Sequence, residues 1–154
     1  MEPTLSAINY QRSVKKHFVD SLKTAHGINL KFGPNFSNVD EAWTEWVAIS
    51  IGRAKIGGLS TAILNIFPCV RSSSSGGEKR LPELVDLIFE NLTNYDDPDG
   101  FSVLSIPLYN TLDDPWTVLC GIMIAPNPER GEPMEAEDGT LFQMLVVTTN
   151  FFTR

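Results

Sequence analysis

Histidine and cysteine are scarce in this chain. Among its 154 residues there are two of each, His17 and His26, Cys69 and Cys120. Two cysteines are too few for a disulfide scaffold, and with so few histidines there is no spacing for a zinc site. The histidines stand nine apart, on opposite sides of a helix, and so form no ligand pair. Cys69 and Cys120 sit in apolar runs and read as small core residues. No apolar run approaches the roughly 18 residues of a membrane-spanning helix. The N-terminal Met-Glu-Pro-Thr lacks the basic and apolar regions of a secretory signal, so a reduced, intracellular chain is expected. There is no phosphate-binding glycine loop, no nucleophile elbow and no calcium loop; Asp97-Pro-Asp99-Gly100 lacks the ligand positions that should follow it. The expectation is a protein without enzymatic activity, metal or cofactor.

Basic residues are also scarce, but only in the second half. Residues 1–95 carry ten Lys/Arg and nine Asp/Glu, a balance of +1. Residues 96–154 carry two and ten, a balance of −8, and together these give the net −7. Nucleic-acid affinity rests on clustered Lys and Arg, so this half is unsuited to gripping DNA. Eight of the ten acidic groups fall in two clusters: Asp96, Asp97 and Asp99, then Glu129, Glu132, Glu135, Glu137 and Asp138. Either serves as a solvated surface, or as one that repels a polyanion or meets a basic partner.

What is present fits one folded domain. Apolar residues make up 42% of the chain and charged residues 20%, enough for a real core at this length. Helical spacing of Ala7, Val14, Phe18, Leu22 and Ala25 predicts a helix over 4–26, closed by Gly27. Ile28, Leu30 and Phe32 alternate as a short strand. Strands are predicted at 43–51 and 59–70, with a turn over 52–58. Pro68 removes a ladder donor, which places it at a sheet edge or a bulge. Residues 71–77 (Arg-Ser-Ser-Ser-Ser-Gly-Gly) read as a flexible linker. A second helix follows over 79–94, with Leu81, Leu84, Val85, Ile88 and Leu92 on one face and Pro82 in its first turn. Strands at 101–109, 116–125 and 141–152 complete the chain, and 126–139 reads as an exposed acidic loop or arm. The order is α-β-β-β-α-β-β-β, an α+β fold with two helices on a mainly antiparallel sheet.

The aromatic residues are the more telling class. Phe36 lies in a polar loop beside Trp43 and is hard to bury within a monomer. Phe36, Trp43 and Phe32 are therefore candidates for a subunit interface.

This arrangement resembles a known family. The segment Trp43-Thr-Glu-Trp46-Val-Ala-Ile-Ser-Ile51, the long strand ending near Phe67, the helix Leu81–Leu92, Ile106-Pro-Leu-Tyr109 and the terminal Thr148-Thr149-Asn150-Phe151 together resemble the tail terminator proteins of long-tailed bacteriophages. The related head–tail joining proteins of the neck share the resemblance. It implies a virion protein of the tail or neck, assembled in the host cytoplasm. Six copies would form a ring that caps the tail tube, ends its polymerisation and joins it to the head-completion or connector protein. DNA would pass through without specific binding; Asp96, Asp97, Asp99, Glu135, Glu137 and Asp138 would face that lumen or a partner. The basic first helix and the acidic second half supply the unlike faces a ring interface needs. The open alternatives are another phage structural protein, either a tail-tube subunit or a head-completion protein. From a different class comes a small intracellular enzyme or ligand-binding α+β domain.

Overall fold

A computed structural model describes residues 3–36, 39–55, 59–71, 77–92, 105–125 and 128–152. Helix α1 spans Pro3–Phe18 and continues as a π-helical segment, Val19–Thr24. The strands are β1 (Leu30–Phe32), β2 (Glu45–Lys55) and β3 (Leu59–Val70). Helix α2 (Gly77–Glu90) comes next, then β4 (Ser105–Asn110) and β5 (Thr117–Ile124). Four strands close the chain: β6 (Glu129–Arg130), β7 (Met134–Glu135), β8 (Leu141–Phe142) and β9 (Leu145–Phe152). The class is α+β. The main sheet runs β1-β2-β3-β9-β5-β4. Among the described residues only β1 and β2 are parallel; the other pairs are antiparallel.

The core follows the two sequence periods. On α1 and its extension, Tyr10, Val14, Phe18 and Leu22 are buried; on α2, Leu81, Leu84, Val85, Ile88 and Phe89, with Leu92 just after it. They meet the alternate residues Ala62, Leu64 and Ile66 of β3 and Leu145, Val147 and Phe151 of β9. Each such side chain contributes about 1.5–3 kcal/mol when fully buried. A smaller cluster, Trp46, Ala48 and Cys69, packs with Phe36, Val39, Trp43, Phe67 and Phe142.

Several boundaries depart from the sequence expectations, each for a physical reason. The first helix is not α-helical throughout. Ser21 Oγ donates to the His17 carbonyl at 2.7 Å where the π-helical segment runs, and hydroxyl back-bonding of this kind distorts a helix. Gly27, at φ +69°, ends it; its N–H reaches Lys23 O at 2.9 Å and the next N–H reaches Leu22 O at 3.2 Å. The expected turn at 52–58 begins later, because β2 runs on to Lys55. The β2–β3 register shifts between Ile51 and Ala54, and a Cβ on Gly52 would stand 2.8 Å from Asn65 Nδ2. Helix α2 starts at Gly77, inside the expected linker 71–77, so Pro82 lies within it rather than in its first turn. After α2 the described residues hold six strands where three were expected, and 101–104 of the first expected strand lie outside them. The expected loop contains β6 and β7, and the expected terminal strand is broken between Phe142 and Leu145 into β8 and β9.

That break explains Pro68, which is neither at an edge nor at a bulge. It pairs with Val47 in the interior of the sheet. On its other side β3 pairs with β9 as far as Ile66 and with β8 from Cys69. Pro68 falls in the gap, where no ladder donor is required.

Candidate functional site

Three regions hold the sequence-derived candidates. The first is the aromatic cluster against β2 and β3. Phe36 stacks on Phe67 with ring centroids 5.1 Å apart and on Phe142 at 4.7 Å. The Trp46 indole N–H donates to Phe36 O at 2.8 Å. Arg71 crosses the cluster: its guanidinium lies 5.0 Å from the Trp46 ring, and its Nε donates to Trp43 O at 2.6 Å. Trp43 is half-buried. Phe32 is half-buried at the β1 edge, with the Lys15 ammonium 5.2 Å from its ring. Phe36, expected to be hard to bury within a monomer, is half-buried in this one. Phe67 and Phe142, 31 and 106 positions further along, provide its pocket.

The second region is the acidic arm. Residues 128–139 do not reach outward. Glu129 and Arg130 pair with Val146 and Leu145, and Met134 and Glu135 pair with Phe142 and Leu141. Arg130 pins the arm to α2, its guanidinium 4.1 Å from the Phe89 ring and 3.8 Å from Asp86. Glu135, Glu137 and Asp138 are exposed along it. The Thr140 backbone N–H donates to Asp138 Oδ1 at 3.0 Å and lowers the pKa of that carboxyl. Asp96, Asp97 and Asp99 lie outside the described residues.

The third region lies between α1 and β4. Ser13, His17, Asp20, Ser21 and Tyr109 line a shallow pocket of about 280 Å³. Their polar groups tie elements together. The Tyr109 N–H donates to Ser13 Oγ at 2.9 Å. His17 Nε2 meets Asn91 O at 3.2 Å, and burial lowers the His17 pKa. Asp20 takes the Lys16 ammonium at 2.6 Å. Above the pocket, Asn9 Oδ1 accepts from both the backbone N–H and the hydroxyl of Thr111, at 3.0 and 2.8 Å. Among the described residues no three metal-ligating side chains converge, and no helix is long and apolar enough to cross a membrane.

Sequence reasoning missed a fourth region. The β4–β5 hairpin and the sheet beside it expose large apolar side chains: Val118 at 63%, Leu112 at 58%, Leu59 at 57% and Phe152 at 53%, with Trp116, Leu119 and Met123 also exposed. Leu59 and Phe152 are cross-strand partners. The available signal was the run Val118-Leu-Cys-Gly-Ile-Met-Ile124, apolar at both alternations, which asks for cover on both faces.

Comparison with known proteins bears on the fold alone. No family model matches the chain, and no curated protein matches it. One solved structure, named only by an identifier that states no activity, superimposes over 94% of this chain and 98% of its own. The TM-score is 0.50 at 8% identity.

Proposed function

We propose that this chain is a virion structural protein, a tail-terminator-like subunit whose copies form a ring, with six as the expected number. In this reading the ring caps the tail tube, ends its polymerisation, joins the tail to the head connector and leaves a channel for DNA. It carries no catalytic residue, metal or cofactor. Its partners are its own copies, the tail-tube protein and the head-completion or connector protein.

The observation that carries the reading is the uncovered apolar surface of the β4–β5 hairpin and the neighbouring Leu59–Phe152 pair. Large apolar side chains exposed together on one hairpin mark a contact with another protein. The resemblance of the sequence to tail terminators gives that contact its biological setting. The two serine hydroxyls and the imidazole of the α1–β4 pocket are engaged with backbone groups, which favours a structural role over a catalytic one.

The test is particle mass and symmetry, by light scattering and negative-stain microscopy, for the protein alone and with tail tubes. Closed rings at tube ends are expected. Self-polymerisation into long tubes would move the assignment to a tube subunit. A protein that stays monomeric in both settings would sink it.

A further inference from the structure

The two ends of the strand order differ in kind. At one end stands the β4–β5 hairpin. Its turn carries Leu112, Asp113, Asp114 and Trp116, all exposed. Asp113 Oδ2 accepts the Thr117 hydroxyl at 2.7 Å, which holds that carboxylate at the tip. Among the described residues the hairpin's ladder to β9 consists of Met123 and Ile124, with Cys120 Sγ also 3.9 Å from Phe152 O. Thr117–Gly121 thus have no strand partner on that side among the described residues, which leaves backbone groups free to pair.

At the other end stands a receptor. Strand β1 has only three residues. Around it, α1 and β2 flank an open groove of about 710 Å³ lined by apolar Phe32, Pro34 and Ile51 and by polar Gln11, Ser50 and Asn65. Among the described residues Lys15 is the one charged residue lining it. Its volume falls in the roughly 300–1,000 Å³ range of clefts that seat a whole ligand, so an indole and a leucine side chain can enter together.

We infer that the β4–β5 hairpin tip of one subunit seats in the α1–β1–β2 groove of the next, with the carboxylates of Asp113 and Asp114 toward Lys15. The occupant is a second copy of this chain. Three features single it out: the tip's exposed Leu112 and Trp116 match the groove's Phe32, Pro34 and Ile51, the charges are opposite in sign, and the two surfaces belong to opposite ends of one sheet. Such a contact is heterologous: each copy offers both halves, so it propagates from subunit to subunit and closes as a ring where the rotation between neighbours divides a full turn. The inference rests on the assembly reading above and specifies the contact that reading leaves open.

Two variants test it, each changing exposed positions only. Leu112→Asp with Trp116→Asp disables the tip, and Lys15→Glu with Pro34→Glu disables the groove. Circular dichroism establishes that both fold. Each alone should self-associate at least tenfold more weakly than the unaltered chain in analytical ultracentrifugation. An equal mixture should form a heterodimer and no ring, because one intact tip and one intact groove remain. If the unaltered chain assembles and either variant alone does so equally well, this contact is wrong while the assembly reading stands. Variants that stay monomeric when mixed would also overturn it. An unaltered chain that never assembles overturns both.

Discussion

Tyr10 stacks on Phe151, ring centroids 4.6 Å apart and planes within 15°, and its hydroxyl meets Thr149 Oγ1 at 2.6 Å. The Thr149 hydrogen goes to Ala62 O at 2.8 Å, so Tyr10 is the donor. One buried phenol thereby joins α1 to β9 and, through Thr149, to β3. Burial pushes the Tyr10 pKa from 10.0 up to about 12. Its stabilising effect is therefore complete below pH 10 and fades as pH rises toward the folded value. Tyr10→Phe should cost about 1 kcal/mol at pH 8 and flatten the loss of stability above pH 10. Urea denaturation at pH 8 and pH 10.5 reads both; an unaltered pH slope would count against the assignment.

Phe36→Ala should destabilise the isolated subunit, not only its assemblies. The ring is half-buried between Phe67 and Phe142. A loss of about 1–2 kcal/mol is expected, below the roughly 3–5 kcal/mol of a fully buried Phe. Denaturation of the monomer measures it. Unchanged monomer stability with weakened assembly would return Phe36 to the subunit interface.

Arg130→Ala should loosen the acidic arm while leaving the core intact. The lost contact with Phe89 is worth about 0.5–1 kcal/mol at an exposed site. Limited proteolysis should cut residues 131–139 several times faster, with little change in thermal midpoint. Equal cleavage rates would show that the Gly131–Met144 and Gln143–Gly131 hydrogen bonds, both 2.7 Å, suffice alone.

Acid should weaken the packing of α1 on the end of α2. Burial lowers the His17 pKa below 6.5, so the folded state favours neutral imidazole. The unfolded chain takes up a proton first as pH falls. The contribution is thus intact above pH 6.5 and declines below it, toward the folded pKa. Thermal midpoints of the unaltered chain should drop more between pH 7 and pH 5 than those of His17→Gln. Parallel curves would remove His17 as the cause.

The acidic arm gives a test of charge at the assembled particle. Replacing Glu135, Glu137 and Asp138 with Lys reverses an exposed strip. Assembled rings should then retain DNA in low salt if the strip lines the channel, since attraction replaces repulsion within a Debye length of about 8 Å. Loss of tail joining without DNA retention would place the strip against a partner instead. Rings that join tails and release DNA as before would reduce the strip to a solubility feature.

The helices and the long strands were legible because their cause is local. Alternation of Ala62, Leu64 and Ile66, and the spacing of Leu81, Leu84, Val85, Ile88 and Leu92, state which face is buried before any partner is known. What the chain order hides is who the partners are. Phe36 looked homeless because Phe67 and Phe142 are remote in sequence. Pro68 looked like an edge residue because the gap that tolerates it is made by Gln143 and Met144. The arm looked extended because two-residue strands such as Glu129–Arg130 carry no periodicity to read. The hairpin's exposed side chains were hidden for the opposite reason, since an apolar strand reads as core until its cover proves missing.

The Asn9–Thr111 and Ser13–Tyr109 hydrogen bonds have a consequence for motion. The hairpin is joined to β9 by two residue pairs at its base, whereas α1 grips β4 higher up through buried Asn9, Ser13 and Thr111. Helix and hairpin therefore form one cooperative unit built from segments about a hundred residues apart. Native-state hydrogen exchange should show the Tyr109 and Thr111 amides opening together with those of α1, at one shared free energy, rather than fraying with the hairpin turn.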